Sequence, residues 1–309
     1  MGMFLVITNS CKKEGNPVLT TTAVIYITQT TATCGGNIIS DGGAAVTARG
    51  VCWSTNQTPT IADFKTTNST GAGSFASIIT GLTANATYYE RAYATNSAGT
   101  GYGSVVSFTT PGTVTDIDGN VYSTVVIGTQ VWMVENLKAT RYRNADLIQN
   151  ITDSTQWNMY LNTGAYCNYR NDISYANTYG HLYNWYAVND SRNIAPAGWH
   201  VPSNVEWTTL TSFLGSNVAG GKLKEAGTVH WASPNTGATN ETGFTALPGG
   251  YREGFYGTFE WITNYLYSWS STEVDESNAW FGLMGYNFGD LSEGIYEKIF
   301  GFSVRCMKD

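Results

Sequence analysis

The sequence predicts an antiparallel β-sandwich followed by an α+β domain, and three observations support this prediction. The chain has 34 glycines and few helical runs, which is typical of a β-rich and loop-rich protein. Residues 17–111 contain short alternating runs between turn clusters, whereas residues 112–309 combine strand patterns with a well-marked helix. With 309 residues, the chain is long enough for two domains that each have a core.

Charge and hydropathy narrow the classes of partner. Charged residues make up 13% of the chain and the net charge is −7, which argues against nucleic acid because its binding depends on basic residues. The same balance argues against an anionic membrane surface. No apolar stretch has the length needed to span a bilayer.

Residues 1–16 contain a short apolar core, Phe4 to Ile7, followed by small polar residues and Cys11. This start resembles the end of a bacterial lipoprotein signal, with Cys11 as the lipidated residue. The next residues, Lys12-Lys13-Glu14, resemble the sorting signal of surface lipoproteins in Bacteroidetes-type bacteria. These resemblances imply a lipid anchor in the outer membrane with the chain on the extracellular side. The alternative is an ordinary chain start that carries a free thiol.

Four cysteines remain after Cys11: Cys34, Cys52, Cys167 and Cys306. Four cysteines allow three disulfide pairings, and one of them, Cys34–Cys52 with Cys167–Cys306, keeps both bridges within a domain. The alternative is a set of buried, reduced thiols. None of the spacings is a zinc pattern, and we expect neither a metal nor another cofactor.

Residues 17–111 contain predicted strands at Ala23–Ile27 and Tyr88–Ala94, separated by turn clusters such as Asp41-Gly42-Gly43. The matching stretches are ARGVCWST, GLTANATYYERAYATNSAGTGYG and SFTT. They make this region similar to a bacterial fibronectin type III-like domain. The resemblance implies that the domain acts as a spacer, with direct ligand binding as the alternative.

The start of the second region, residues 112–309, contains the turn Asp116 to Asn120. Its alternating carboxylates are compatible with a calcium loop, but Asp-Gly is also ordinary hairpin chemistry. A helix is predicted from the capping box Ser203-Asn204-Val205-Glu206, with Gly215 where the helix would stop. A second helix is predicted from His181 to Val188.

The segment 279–300 mixes large apolar residues with small, acidic and amide residues, and we expect some of its apolar side chains to be exposed as a contact surface. If residues 280–287 form a strand, Trp280 and Met284 share one face, and Phe281 and Leu283 share the other. We assign the first face to the core and the second to solvent, and the reverse assignment is the alternative. Trp261 and Tyr265 precede this segment and either flank the same surface or belong to the core.

Sequence signatures of catalysis are missing. The three histidines, His181, His200 and His230, form no metal-ligand motif, and there is no Gly-x-Ser-x-Gly elbow. Adjacent acids such as Asp275 and Glu276 are common on protein surfaces. We therefore predict a binding protein and not an enzyme.

Several segments of residues 112–309 carry a family resemblance: VIGTQVWMVENL, YGHLYNWYAVND, APAGWHVPSNVEWTTL, GFTALPGGYR, WSSTE and GFSVRC. They resemble the Fibrobacter major paralogous domain, which implies a C-type lectin-like fold. That family often has Cys-Pro where this chain has Ala195-Pro196, which puts a disulfide at Cys306 in doubt.

The C-terminal motifs also resemble the variable proteins of diversity-generating retroelements, in which asparagine-type codons are randomised. This resemblance implies variable, ligand-contacting residues at positions that such codons can encode. They are Phe281, Leu283, Asn287, Phe288, Asp290, Ser292, Ile295, Tyr296, Ile299 and Phe300. The expected function is a cell-surface receptor for a protein or cell-surface ligand. The alternative is a calcium-independent glycan-binding or adhesion module.

Overall fold

The computed structural model describes residues 14–159 and 162–309, so Cys11 lies outside the described residues. The described residues form two compact units, one of residues 14–25 and Thr30–Thr110, the other of Tyr26–Gln29 and Pro111–Asp309. Most of their regular elements are strands, which confirms the predicted β-rich character. Within the described part of the chain, no helix has both the length and the apolar character needed to cross a membrane.

The first unit contains strands arranged in two sheets. The strands are β1 (Val18–Thr21), β2 (Thr31–Ser40), β3 (Ala48–Ser54), β4 (Phe64–Lys65), β5 (Gly73–Thr80), β6 (Thr87–Asn96), β7 (Gly99–Tyr102) and β8 (Val106–Thr109). One sheet has the order β1-β2-β5, and the other has the order β4-β3-β6-β7 with β8 also paired to β6. Leu19 and Ile38 of the first sheet pack with Ala92 and Ala94 of the second in one buried cluster. The sheets therefore pack face to face as a sandwich.

The predicted strand Ala23–Ile27 is wrong. Ile25 and Ile27 make only isolated bridges, to Thr33 and Val126 respectively. Between them Tyr26 has a φ of 51°, and a positive φ interrupts an extended strand. The short segment Tyr26–Gln29 consequently belongs to the second unit, which the sequence did not predict.

All four described cysteines are reduced and buried, so none of the possible disulfide pairings is present. Burial raises the pKa of each thiol, to about 11 for Cys52 and Cys167. The thiols therefore stay protonated at neutral pH and act as small apolar side chains. Neither unit is held together by a disulfide between its described cysteines.

In its described residues, the second unit contains strands β9–β21, helices α1–α5 and a 3-10 turn at Tyr169–Asn171. Its strands are β9 (Thr113–Thr115), β10 (Val121–Ile127), β11 (Gln130–Met133), β12 (Gln149–Asn150), β13 (Ala165–Cys167), β14 (Leu182–Tyr183), β15 (Trp199–His200), β16 (Tyr251–Arg252), β17 (Phe259–Glu260), β18 (Tyr265–Glu273), β19 (Asn278–Gly285), β20 (Ser292–Glu297) and β21 (Met307–Lys308). Its helices are α1 (Ser154–Met159), α2 (Ile173–Tyr179), α3 (Trp185–Val188), α4 (Asn204–Leu214) and α5 (Ala219–Leu223). The sheets are β15-β21-β11-β10-β9, β12-β13-β14, β16-β17 and β18-β19-β20.

Helix α4 confirms the prediction from the capping box. The Ser203 side chain accepts a hydrogen bond from the Glu206 N–H, and the Glu206 carboxylate accepts one from the Ser203 N–H at 2.7 Å. The helix ends at Gly215, whose φ of 92° favours glycine. Trp207 and Leu210 are buried on its inner side.

The predicted helix His181–Val188 is shorter in the structure and follows a strand. Leu182 and Tyr183 form β14, and the Tyr183 N–H donates to the Phe302 carbonyl at 2.8 Å. The Asn184 side chain then accepts from the Ala187 N–H and starts helix α3. An N-cap in the middle of the predicted helix therefore explains the error.

The turn that starts at Asp116 has the hydrogen bonds of a structural turn. One Asp116 carboxylate oxygen accepts from the N–H groups of Asp118 and Asn120, and the other accepts from the Asn120 amide and the Tyr122 hydroxyl. All four donors are protein groups, so both oxygens of this carboxylate are used in holding the turn.

Glu90 is a buried carboxyl group in the interior of the sandwich. It lies on β6 opposite Trp53, and neither carboxyl oxygen has a hydrogen-bond partner. Burial raises the pKa of Glu90 from 4.5 to about 8. Between pH 4.5 and about 8, the Glu90 carboxyl therefore stays protonated in the folded chain and is ionised in the unfolded chain.

We predict that the first unit loses stability as the pH rises from about 4.5 to about 8, because Glu90 must then ionise without a partner. Hydrogen exchange of peptides that cover β6, corrected for the intrinsic rate, measures this loss. Glu90→Gln removes the titrating group and should flatten the dependence. Glu14→Gln, at an exposed carboxyl of the same unit, should leave it in place. Equal slopes for the two variants would show that Glu90 is not its source.

Candidate functional site

The C-terminal segment forms the antiparallel sheet β18-β19-β20, which positions most of the predicted site residues. Phe281 on β19 lies opposite Trp269 on β18 and Gly294 on β20. Leu283 lies opposite Tyr267 and Ser292 in the same way. Because directly opposed residues point to the same side of a sheet, these side chains share one face.

The other face of the sheet packs on helix α4. Leu266 and Met284 are buried there in one cluster with Trp207 and Leu210. Gly282 faces the same side, where an added Cβ would lie at ordinary contact distance, 3.8 Å, from the Trp207 ring. This face fixes the sheet to the rest of the unit, as expected for Met284.

Buried aromatic rings form the floor of the opposite face. The Phe281 ring lies 5.3 Å from Phe302, 5.6 Å from Tyr267 and 5.8 Å from Tyr296, measured between ring centroids. The Phe300 ring lies 4.3 Å from Tyr296. Phe281, Phe300 and Phe302 are all buried.

Above this floor lies a continuous row of partly exposed side chains, which we call the aromatic face. Its members are Tyr251, Phe255, Trp261, Tyr265, Tyr267, Leu283, Phe288 and Tyr296. Each ring contacts a neighbouring ring of the face or of its floor, for example Tyr251 and Tyr267 at 5.0 Å and Trp261 and Tyr265 at 5.6 Å. A contiguous apolar surface of this kind is characteristic of a contact site.

Three tyrosines of the aromatic face, Tyr251, Tyr267 and Tyr296, remain neutral at physiological pH. Burial raises the pKa of Tyr251, Tyr267 and Tyr296 above the ordinary value for a phenol. Each neutral hydroxyl can both donate and accept a hydrogen bond. The face therefore combines apolar rings with uncharged polar groups.

Trp261 occupies a strained turn at one end of the aromatic face. Its φ is 61°, an unusual value for a bulky residue, and its side chain is 51% exposed. The Trp261 carbonyl accepts hydrogen bonds from the N–H groups of Asn264 and Tyr265, which hold the turn. Strained backbone that presents an exposed ring is more common at functional sites than elsewhere.

The connection between β19 and β20, residues 286–291, is held through its main chain. The buried Lys224 ammonium donates to the carbonyl oxygens of Gly285 at 2.7 Å and Phe288 at 2.8 Å, and to that of Thr236 at 3.0 Å. The Gly221 N–H donates to the Gly289 carbonyl at 2.7 Å. These bonds use main-chain groups of the connection and not its side chains.

Two glycines let aromatic rings lie against the sheet backbone. An added Cβ at Gly285 would lie 2.2 Å from the Phe288 ring, and one at Gly294 would lie 2.7 Å from the Phe281 ring. Any larger residue would displace these rings. The position of Phe288 on the face, and that of Phe281 in the floor, thus depends on glycine at the neighbouring strand position.

The family model for the Fibrobacter succinogenes major domain matches residues 125–308. The chain belongs to this family. The match spans helix α4, the sheet β18-β19-β20 and most of the second unit. Comparison with curated proteins finds no match.

Beyond the Fibrobacter succinogenes major domain, part of the chain is similar to solved fibronectin type III domains. A human example, the sixth such domain of fibronectin type III domain containing protein 3, is 24% identical, with 32% of this chain and 90% of that chain covered and a TM-score of 0.25. The sensor domain of the anti-sigma factor RsgI4 in Pseudobacteroides cellulosolvens is 15% identical, with 31% and 75% covered and a TM-score of 0.23. These similarities carry no argument about the site.

The structure divides the predicted site residues of this Fibrobacter succinogenes major domain into two groups. Phe281, Ile299 and Phe300 are 6%, 8% and 3% exposed, so the prediction that they face solvent is wrong. They are buried because β19 packs on both faces and the end of the segment folds onto the aromatic floor. The partly or fully exposed group is Leu283, Asn287, Phe288, Asp290, Ser292, Ile295, Tyr296, Trp261 and Tyr265.

Ile295 is 48% exposed but lies apart from the aromatic face. It is opposite Trp280, on the side of the sheet that α4 covers elsewhere. Leu283, Phe288 and Tyr296 are brought together, and Trp261 and Tyr265 flank them, which is one of the two placements that the sequence left open. Ser292 is opposite Leu283 and borders the same group.

Sequence reasoning missed Tyr251, Phe255 and Tyr267. Tyr267 has the same strand parity as Tyr265, and this pattern would have found it. Tyr251 and Phe255 reach the face from a separate stretch of chain, and no local pattern places them there.

His181 is buried and hydrogen-bonded within the second unit. Burial lowers the pKa of His181 to about 4, and its Nδ1 lies 2.8 Å from the Asn168 side-chain oxygen. Within the described ranges, no three His, Cys, Asp or Glu side chains are grouped so as to hold a metal ion.

We expect a phenylalanine-to-serine substitution to lower the free energy of unfolding more in the floor than on the aromatic face. Phe281→Ser should lower the free energy of unfolding by about 3–5 kcal/mol, because it leaves a cavity beneath Tyr267 and Tyr296. Phe288→Ser removes a partly exposed ring and should cost less than about 1.5 kcal/mol. Urea unfolding of the two variants measures both values, and equal costs would contradict the division into floor and face.

Proposed function

We propose that this chain is a cell-surface binding protein whose aromatic face contacts a protein or cell-surface ligand. The observation that carries the proposal is the continuous row of partly exposed rings on a rigid sheet. Fully burying one such side chain is worth roughly 1.5–3 kcal/mol, so a partner that covers several of them gains substantial affinity. Tyrosine and tryptophan are also the residues most enriched at binding hot spots.

The proposal includes a C-type lectin-like fold for the second unit and no enzymatic activity. Its support is the family membership together with the terminal sheet, on which ligand-contacting residues are expected. The first unit would hold this domain away from the membrane as a spacer. A lipid anchor at Cys11 would hold the chain at the outer membrane.

We also propose that the exposed part of the C-terminal segment is diversified by a retroelement. The main-chain contacts of Lys224 and Gly221 support this, because they hold the loop at carbonyl groups that every residue type provides. Burial excludes Phe281, Ile299 and Phe300 from free exchange. The variable set is therefore Leu283, Asn287, Phe288, Asp290, Ser292, Ile295 and Tyr296. The proposal requires a near-repeat of these codons and a reverse transcriptase gene in the flanking DNA.

The ring geometry of the aromatic face also bears on the alternative function, calcium-independent glycan binding. Sugars stack on flat aromatic faces, whereas Trp261 and Tyr265 meet edge to face at 77°, and Tyr251 and Tyr267 at 76°. Such an arrangement offers a corrugated apolar surface. This geometry favours a protein partner.

Replacement of Leu283, Phe288 and Tyr296 with serine should abolish ligand binding and leave the fold in place. Labelled full-length chain is screened against a random peptide display library and a glycan array, and the triple variant should lose at least about tenfold in affinity for any hit. The control replaces three exposed valines away from the face, Val205, Val218 and Val229, with serine. Equal losses in both variants, or none in either, would contradict the proposed site. Hits confined to the glycan array would favour the alternative.

Anchoring is tested by growing bacteria that express the chain with an alkyne analogue of palmitate. The wild-type chain should take up label and partition with the outer membrane, because a diacylated cysteine adds about 0.8 kcal/mol of membrane affinity per buried CH₂. Cys11→Ala should abolish both, and Cys34→Ala, at a buried thiol, should change neither. An unlabelled wild-type chain, or label that persists in Cys11→Ala, would rule out this anchor.

A further inference from the structure

One end of the aromatic face borders a small apolar pocket with a carboxylate at its edge. The pocket is lined by Tyr186, Phe255, Ser277, Glu297 and Ile299, and its volume is about 270 Å³. Drug-sized ligands occupy pockets of roughly 300–1,000 Å³, so this one suits a single long side chain. Phe255 belongs to both the pocket and the aromatic face, and its ring lies 6.0 Å from Phe300.

The stretch of chain that supplies Phe255, Ser277 and Glu297 to this pocket carries charge of one sign. Residues 253–297 contain eight carboxylates and no lysine, arginine or histidine. The carboxylates are Glu253, Glu260, Glu273, Asp275, Glu276, Asp290, Glu293 and Glu297. A pocket that combines aromatic rings with the Glu297 carboxylate matches a cationic partner.

The two basic residues that flank this stretch are buried and already bonded. The Arg252 guanidinium lies between Trp157 and Phe259 and donates to the carbonyl oxygens of Ile151, Thr152 and Gly257. The Lys298 ammonium donates to the Glu273 carboxylate and to the carbonyl oxygens of Asp275 and Glu276. Neither is placed to meet a ligand, although Lys298 offsets the charge of Glu273.

We propose that the partner is a protein segment that inserts an arginine or lysine side chain into this pocket. The aliphatic stem would pack on Ile299 and the rings of Tyr186 and Phe255, and the cationic head would meet Glu297. Long basic side chains combine an apolar stem and a charged head in this way, and aromatic rings add cation–π attraction. Apolar neighbours of the basic residue would cover the rest of the aromatic face. This inference rests on the proposed binding function.

The test uses full-length chain and a random dodecapeptide display library, followed by synthesis of the selected peptides. Arginine or lysine next to an apolar residue should be enriched. Exchange of the arginine for citrulline, which keeps the shape and removes the charge, should weaken binding about tenfold by calorimetry. Raising the salt from about 50 to about 300 mM should weaken the charged peptide more than the citrulline peptide.

Variants of the chain locate the interaction. Glu297→Gln and Phe255→Ala should each weaken the selected peptide by at least about fivefold. Glu241→Gln is the control, because Glu241 is an exposed carboxylate that pairs with Lys222 outside the acidic stretch, and it should bind as wild type does.

The possible outcomes separate the two proposals. Peptides that depend on Leu283, Phe288 and Tyr296 but are indifferent to citrulline and to Glu297→Gln would overturn the cationic partner and leave the binding function standing. Peptides that are indifferent to all of these residues would overturn both. A library in which no selected peptide is weakened by citrulline, by Glu297→Gln or by the triple serine variant also contradicts the cationic partner.

Discussion

The arrangement of the site depends on one buried ammonium group. Lys224 has no carboxylate partner among its hydrogen bonds, and three main-chain carbonyl oxygens solvate it instead. Burial lowers its pKa to about 8, so it remains charged at neutral pH and keeps all three bonds. One of these carbonyls, that of Gly285, ends β19, and another, that of Phe288, lies in the turn that leads to β20. The ammonium thus fixes the turn at points that every residue type provides, and the Phe288 ring is presented on a backbone with little freedom.

The sheet of the site is packed on both sides, and this explains how far sequence reasoning could reach. The capping box at Ser203 and the stop at Gly215 are local signals, and both were predicted correctly. Strand alternation correctly placed Met284 in the core. It wrongly placed Phe281 outside, because the argument assumes that one face of the sheet is exposed to solvent. Phe281 is buried by Phe302 and Tyr267, and neither contact leaves a local trace in the sequence.

Long-range partners account for the remaining errors. Helix α3 is short because the Asn184 side chain caps it and the preceding residue pairs with Phe302. The strand expected at Ala23–Ile27 ends because Tyr26 adopts a positive φ and the chain then pairs with Val126. Tyr251 and Phe255 join the aromatic face from outside the sheet. In each case the deciding contact is distant in sequence, and residue patterns describe only near neighbours.

Gly294 has a consequence for how far this surface can be altered. It lies in the middle of the stretch that we propose is diversified, yet the Phe281 ring occupies the space that any β-carbon there would need. Random rewriting of the outer strand must therefore skip this position or lose the ring beneath it. The set of side chains that the proposed diversification could place on this surface is therefore limited by Gly294, a residue that need not contact any ligand.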